Sequence, residues 1–528
     1  MRNHTCLRLA LRRSLATVVL LGLLLGSGVQ IGAASGQVTL SGVFSVVIGD
    51  PPPGSALPPK TTYRLTDAAG KTTELRLDAK VLQAAGGSLA LNRTQVTVMA
   101  APATTTTQVG GSTPVVVQSI APEGKRIGVA GPGKQDVTMG AQPFINVLCQ
   151  FPNTAGLPVN PVTPADVERL MSATYPGLGD FFAQTSFNNI TLTGTQTTAW
   201  LTMPHPESFY PSIGSANGLS DADFTSLAQD CAGMIPGDVD MTPIKGINLL
   251  FNDLPGPYAY GGQKQIVTIH RVQAKWSMTW MPPWGYSVQP DNTGGQTVLA
   301  HEMGHAFGLL HSAGPDGTVY KNAWDVLSDT YSYCGLPNAT DPTYGCLGQH
   351  MIAYDKDFLG WIPAGQKFSY AGGEQTLTLG ALADASVVAP NYYLAVIPHA
   401  GTTTQFTTIE FRRLLGYDQK LPGAAVIIHE VDTTREDPAR VQGANGKAGA
   451  MFTAGMVYKA PNSGAMVSVT AIGGTTATVT IGPVPNSLPG VKLPGPTVGG
   501  PPSSLPVSPR PVGAPDVTAP SPLPSRRP

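Results

Sequence analysis

Charge is scarce in this chain. Asp, Glu, Lys and Arg make up 12% of 528 residues and leave a formal net charge of −1. A nucleic-acid partner would need a basic face to neutralise phosphates, and nothing here supplies one. Long apolar runs are as scarce. The one candidate, Leu15 to Leu25, is short of the roughly 20 residues that a membrane span requires. It follows Arg2, Arg8, Arg12 and Arg13 and precedes Ala33, Ala34, Ser35 and Gly36. That is the layout of a cleaved export signal over residues 1–36, so the mature chain is expected to be secreted, extracellular or periplasmic, with no membrane span.

Cysteine is also sparse. Cys6 would leave with the signal, and Cys149, Cys231, Cys334 and Cys346 remain. An even number in an exported chain argues for two disulfides. Cys334 and Cys346 share one Gly/Pro-rich loop and are expected to pair, with Cys149 and Cys231 as the default second pair. A zinc site made of all four has neither the right spacing nor the right compartment.

Glycine (61) and proline (49), by contrast, are abundant, which suits short strands and many turns. Residues 37–100 alternate apolar and polar positions in runs such as QVTLSGVFSVVIGD and TTELRLD, and read as a small all-β domain, either a propeptide or a binding module. Residues 101–136, rich in Thr, Gly and Pro, read as a linker. In 137–363, buried-strand patterns (PFINVLCQF, INLLFND) mix with helical spacing in DVERLMSATYPGLGDFFAQTS, as in an α/β or α+β domain. Residues 364–483 carry evenly spaced strands and turns, the pattern of a β-sandwich. Residues 484–528 hold too much proline and too little apolar surface to fold.

Chemistry concentrates in TVLAHEMGHAFGLLHSAG, Thr297 to Gly314. On a helix, His301 and His305 project from one face and can share a zinc ion. Gly308 permits a sharp turn with positive φ, which returns His311 as a third ligand. Three protein ligands leave one position open for water, as a catalytic zinc requires. Glu302, beside the first ligand, can take a proton from that water and later pass it to a leaving amine. A bare His-Glu-x-x-His occurs by accident, but the added Gly and third His make chance rarer than about one in ten thousand.

The stretch HEMGHAFGLLH matches the long zinc motif of the metzincin metallopeptidases, and Ser312 after the third His resembles the matrixin version. The later segments NAWDVLSD, YDKDFLGWIP and EFRRLLGYDQKLPGAAVIIHEVD resemble gametolysin-type secreted peptidases, loosely over residues 37–483. The resemblance implies a metzincin-like catalytic domain, a mixed sheet with an active-site helix, flanked by all-β domains. It also implies a Met-turn beneath the zinc. The position that aligns with it, in WDVLS, holds Leu327, a volume-conserving replacement, and Met351 is the other candidate.

Other residues have plainer readings. Tyr331 follows that turn and could approach the zinc, but its offset differs from the metzincin tyrosine and suits a loop or core residue. His270, His350 and His429 lie beside strands or turns and read as structural. Asp291, Asn292, Asp316 and Asp325 offer oxygens for calcium, but no loop spacing supplies the six to eight that Ca2+ needs. The run KWSMTWMPPWGYS, with Trp276, Trp280 and Trp284, reads as a packed loop or as an aromatic wall of the cleft. Cys149 lacks the context of a cysteine switch.

The sequence therefore predicts a zinc endopeptidase acting on an extracellular protein or peptide. The rivals are a non-catalytic zinc-binding adhesion protein on a peptidase scaffold, and a zinc hydrolase acting on something other than protein.

Overall fold

The computed structural model describes residues 37–101, 114–123, 137–152, 161–210, 212, 217–289, 294–334, 336 and 339–485. The expected signal, the proline-rich tail from residue 486, and the calcium candidates Asp291 and Asn292 lie outside them. The architecture is mixed α and β, built on several sheets.

The N-terminal unit contains β1 (Val38–Asp50), β2 (Lys60–Thr66), β3 (Thr72–Arg76), the short helices α1 (Ala79–Ala84) and α2 (Ser88–Leu91), β4 (Gln95–Ala100) and β5 (Val115–Pro122). The last strand corrects the reading of 101–136 as linker throughout. Val117 and Ile120 in VVVQSIAP are buried, and β5 pairs antiparallel with β4, so its apolar positions outweigh the surrounding turn-rich composition.

Next come β6 (Gly140–Ala141), β7 (Phe144–Gln150), α3 (Pro164–Leu170), α4 (Leu178–Thr185), β8 (Ile190–Thr191), β9 (Gln196–Thr202), α5 (Asp221–Ala232), β10 (Gly246–Phe251), β11 (Ala259–Ile269), β12 (Val272–Met281), α6 (Pro283–Tyr286) and α7 (Gln296–Ala306). Strands β9, β7, β10 and β12 run parallel, and β11 closes the row antiparallel. Parallel strands are buried on both faces, and the sequence obeys. Along β7, Phe144 and Leu148 pack toward α4 and α7, while Ile145, Val147 and Cys149 pack toward α5. The sheet is thus the middle of three layers. The aromatic run is strand and helix rather than loop: Trp276 and Trp280 are on β12 and pack in the α5-side core, and Trp284 is in α6.

A second departure matters more. The N-terminal unit is not freestanding, because β1 belongs to both units. Its first half pairs with β4 (Val38↔Ala100 to Val43↔Gln95) and its end pairs antiparallel with β11 (Val47↔Gly262 to Asp50↔Ala259). One ten-stranded sheet results, in the order β2-β3-β5-β4-β1-β11-β12-β10-β7-β9. Alternation along β1 divides its side chains: Phe44, Val46 and Ile48 enter the N-terminal core and Val47 enters the core on the α5 side of the neighbouring strands.

After the small hairpin β13 (Thr340–Asp341) and β14 (Gly345–Cys346) comes α8 (Ala353–Phe358), and then the C-terminal unit. One sheet holds β15 (Lys367–Ser369), β17 (Leu394–Pro398), β18 (Gln405–Arg412), β19 (Ala425–Asp432) and β20 (Ala439–Val441). The other holds β16 (Gln375–Gly380), β21 (Val457–Lys459), β22 (Ala465–Ile472) and β23 (Thr476–Pro483). Ile397, Ile409 and Ile428 from the first share a core with Leu379, Val467 and Val479 from the second, so the two sheets face each other as a sandwich.

Both disulfides pair as the sequence suggests. Cys149 of β7 joins Cys231 of α5 across 5.8 Å between Cα atoms, and Cys334 joins Cys346 across 5.4 Å. Among the described residues no helix is long and apolar enough to cross a membrane.

Candidate metal centre

Helix α7 is buried at every position, so its polar side chains must find partners inside the protein. His301 and His305, one turn apart, point to the same spot. The helix then ends in a Schellman motif at Gly308, whose φ is +98°. Gly308 N–H donates to the His305 carbonyl (2.8 Å) and Leu309 N–H to the Gly304 carbonyl (3.1 Å). That turn brings His311 back to the first two. The three Nε2 atoms lie 3.0–3.2 Å apart. This is close to the roughly 3.3 Å edge of a tetrahedron with zinc–nitrogen bonds of about 2.0–2.1 Å.

The ring orientations decide what fits there. His301 Nδ1 faces the Val326 carbonyl at 2.6 Å and His305 Nδ1 faces the Leu309 carbonyl at 2.8 Å. A carbonyl can only accept, so each Nδ1 carries the proton and each Nε2 aims a lone pair at the centre. Lone pairs converging in a buried spot need a cation between them. The donor set, imidazoles with a carboxylate, suits zinc.

The carboxylate is Asp50, the last residue of β1. One of its oxygens lies 2.7 Å from His311 Nε2, the other 3.3 Å from Nε2 of both His301 and His305. Together Asp50, His301, His305 and His311 form a buried group whose donor atoms could hold a metal ion. Neither Asp50 nor its neighbour Tyr320 was legible as a site residue. Tyr320, left-handed at φ +64°, donates its hydroxyl to Asp50 and sets its ring edge-on to His311.

Glu302 is fully buried and neither carboxyl oxygen has a hydrogen-bond partner. Burial, and then the charge of Asp50, push this carboxyl well above the usual range. Asp50 moves the other way: burial would raise it, but His311 and His301 hold it well below. Burial would lower His301, yet Asp50 leaves it raised on balance, whereas burial takes His305 down to about 4.

The turn below behaves as a floor. Leu327 is buried, with its methyl carbons against Gly304 of α7, where an added Cβ would fall 2.9 Å away. Val326 supplies the carbonyl for His301, and Asp325 pins the turn by accepting from Ser312 Oγ (2.6 Å) and Leu327 N–H (3.1 Å). Burial raises the Asp325 carboxyl. Met351 is buried in the same core.

A cleft of about 380 Å3 opens beside the four donors. Asp50 to Ser55 line one part of it. Trp284, Val298, Tyr320, the stretch Ser328 to Ser332 with Tyr331, and Lys447 line the rest. The three histidines read as structural are elsewhere: His270 bonds the Ile235 carbonyl (3.0 Å), His350 packs on Phe181 and Tyr417, and His429 bonds Asn322 (3.1 Å). Asp316 is exposed and accepts from Thr318 N–H of its own loop. No protein-family model matches the chain, and no curated protein matches it either.

Proposed function

We propose that the chain is a zinc-dependent endopeptidase. The observation that carries this reading is the convergence of three Nε2 atoms, those of His301 and His305 left unprotonated by their Nδ1–carbonyl bonds, with Glu302 beside them as a buried carboxyl that has no hydrogen-bond partner. His301, His305 and His311 would hold the ion. Zinc held there would acidify a water and polarise the scissile carbonyl. Glu302 takes the proton of the attacking water and returns it to the leaving amine, the two halves of general base and acid catalysis. The Tyr320 hydroxyl, which donates to Asp50, is within reach of the same position and can donate to the substrate oxygen as it gains charge. Trp284 and Tyr331 give the cleft aromatic surface for side chains of an extended peptide.

The test is casein cleavage by the purified chain, with zinc measured by elemental analysis. Glu302→Gln should keep one zinc per chain and lose activity by about 10²–10⁴-fold. A Glu302→Gln chain that cleaves as fast as an active parent, intact or processed, would sink the reading.

One observation favours the non-catalytic alternative: a carboxylate occupies the place where a catalytic site keeps water. Full zinc content with no cleavage from any form of the chain, intact or processed, would support it.

A further inference from the structure

Asp50 reaches the histidines from a separate unit of the chain, and the manner of its arrival is informative. Without β1, the catalytic sheet would end at β11 with an unpaired row of backbone groups beside α7, the kind of edge to which an extended peptide adds as a strand. Residues Val47 to Asp50 take that edge, antiparallel, in register with Gly262 to Ala259. The chain continues through the cleft as Pro51-Pro52-Pro53-Gly54-Ser55. It thus lies as a bound peptide would, with one difference. What meets the histidines is the Asp50 side chain and not a backbone carbonyl, so no scissile bond is presented there.

The unit that delivers this strand has its own core. Phe44, Leu65, Leu75, Val96, Val98 and Ile120 pack with one another, and the rest of the protein closes that core with a single buried residue, Leu310. Leu89 packs against both sides. Beyond β1 the unit is fastened mainly by polar bonds: Lys60 to the Leu219 carbonyl (2.5 Å), Arg64 to Thr225 (2.7 Å) and to Gln265, and Tyr63 to Glu436. This is the anatomy of a unit with its own core that is docked on the rest through one shared strand.

We infer that the N-terminal unit is an intramolecular inhibitor, with β1 in the substrate's place on β11 and Asp50 as a displaceable fourth ligand of the metal. This rests on the zinc peptidase reading and explains why a site with three histidines and a base is closed. Tethering lets a single carboxylate compete: a group held beside its site acts at an effective concentration on the order of millimolar or more. Four protein ligands make the arrangement of a structural zinc, and withdrawing Asp50 restores three ligands and an open position.

The test uses the full chain loaded with cobalt, whose visible spectrum reports the coordination, and acetohydroxamate as a small metal-binding probe. Two variants release the clamp differently. Asp50→Ala removes the ligand. Gly49→Val leaves Asp50 in place but lifts β1, since a Cβ at Gly49 would fall 2.3 Å from the Tyr260 ring. In both, acetohydroxamate should shift the spectrum at least about tenfold more tightly than in the parent chain. A parent chain that binds the probe as tightly as both variants would overturn the inference. So would a folded Asp50→Ala chain that no longer holds cobalt, since Asp50 would then be a permanent ligand. If Asp50→Ala does not fold, Gly49→Val decides alone. Probe binding gained without any casein cleavage upholds the inference and counts against the peptidase reading instead.

Discussion

The two β-rich flanks look alike in sequence and relate to the candidate metal centre in opposite ways. The N-terminal unit approaches from the front and puts the Asp50 side chain among the four candidate donors. The C-terminal sandwich supplies none of the four donor side chains and, apart from Lys447 at the cleft, it holds what holds the donors. Its Arg412 is fully buried and forms a fork with Asp418 (2.8 and 2.7 Å). The same guanidinium donates to Glu410 (3.0 Å) and to the carbonyls of Trp324 (2.5 Å) and His350 (3.2 Å). Trp324 opens the turn that supplies the Val326 carbonyl to His301. Ala313, just after His311, bridges to β20, and His429 of β19 bonds Asn322, which bonds Ser312. Composition does not separate a clamp from a foundation; the polarity of the contact does. The front is joined by a strand edge and a few polar bonds, the back by a desolvated charge network.

The sharpest way to break that contrast is Arg412→Ala. It leaves Asp418 and Glu410 buried without their cation, so a loss of about 3–5 kcal/mol is expected, with weakened zinc binding, in thermal unfolding and metal titration. Unchanged stability would mean that the back is no foundation. The matching lesion in front is Leu65→Ala, in the N-terminal core, which should cost roughly 2–4 kcal/mol. Here the loss should fall on the N-terminal unit alone. Zinc should stay bound, and hydrogen exchange should quicken in β2 to β5 but not in β18 and β19.

A smaller effect sharpens the comparison within the sandwich. Burial pushes the Glu430 carboxyl up to about 7, although Thr407 and Tyr458 donate to it and Arg435 lies nearby. His399 Nε2 is 3.1 Å from its other oxygen, and burial lowers that imidazole. The folded state therefore holds this proton more tightly than the unfolded chain. The associated stability is complete below the ordinary value of 4.5 and is lost as pH rises to about 7. Glu430→Gln should flatten the fall in unfolding free energy across that window, by on the order of 1–2 kcal/mol. An identical pH profile in the variant would refute this.

The contrast also explains what could be read from sequence. His301, Glu302, His305 and His311 were legible because helix periodicity and one glycine bring near neighbours in the chain together. The cysteine pairs followed from number and compartment. Leu327 was singled out through a resemblance, and the structure sets it against Gly304 of α7. Asp50 and Tyr320 were not legible. An aspartate ending an apolar strand before three prolines looks like any turn, and only the pairing of β1 with β11, distant in sequence, gives it a role. β5 was hidden by the composition around it. Arg412 was hidden because buried arginines are rare and nothing local announces one.

A sheet that runs unbroken through two bodies also separates cutting from parting. A protease that severed the chain between β5 and β7 would break one covalent bond, yet the β1–β11 ladder, Val47 in the neighbouring core and the Lys60 and Arg64 bonds would all persist. The fragments would still migrate together. Once they did part, β11 would be a bare strand edge, open to an extended peptide and equally to another molecule's strand. The lifetime of the nicked pair, more than the moment of the nick, would then set when the edge is exposed.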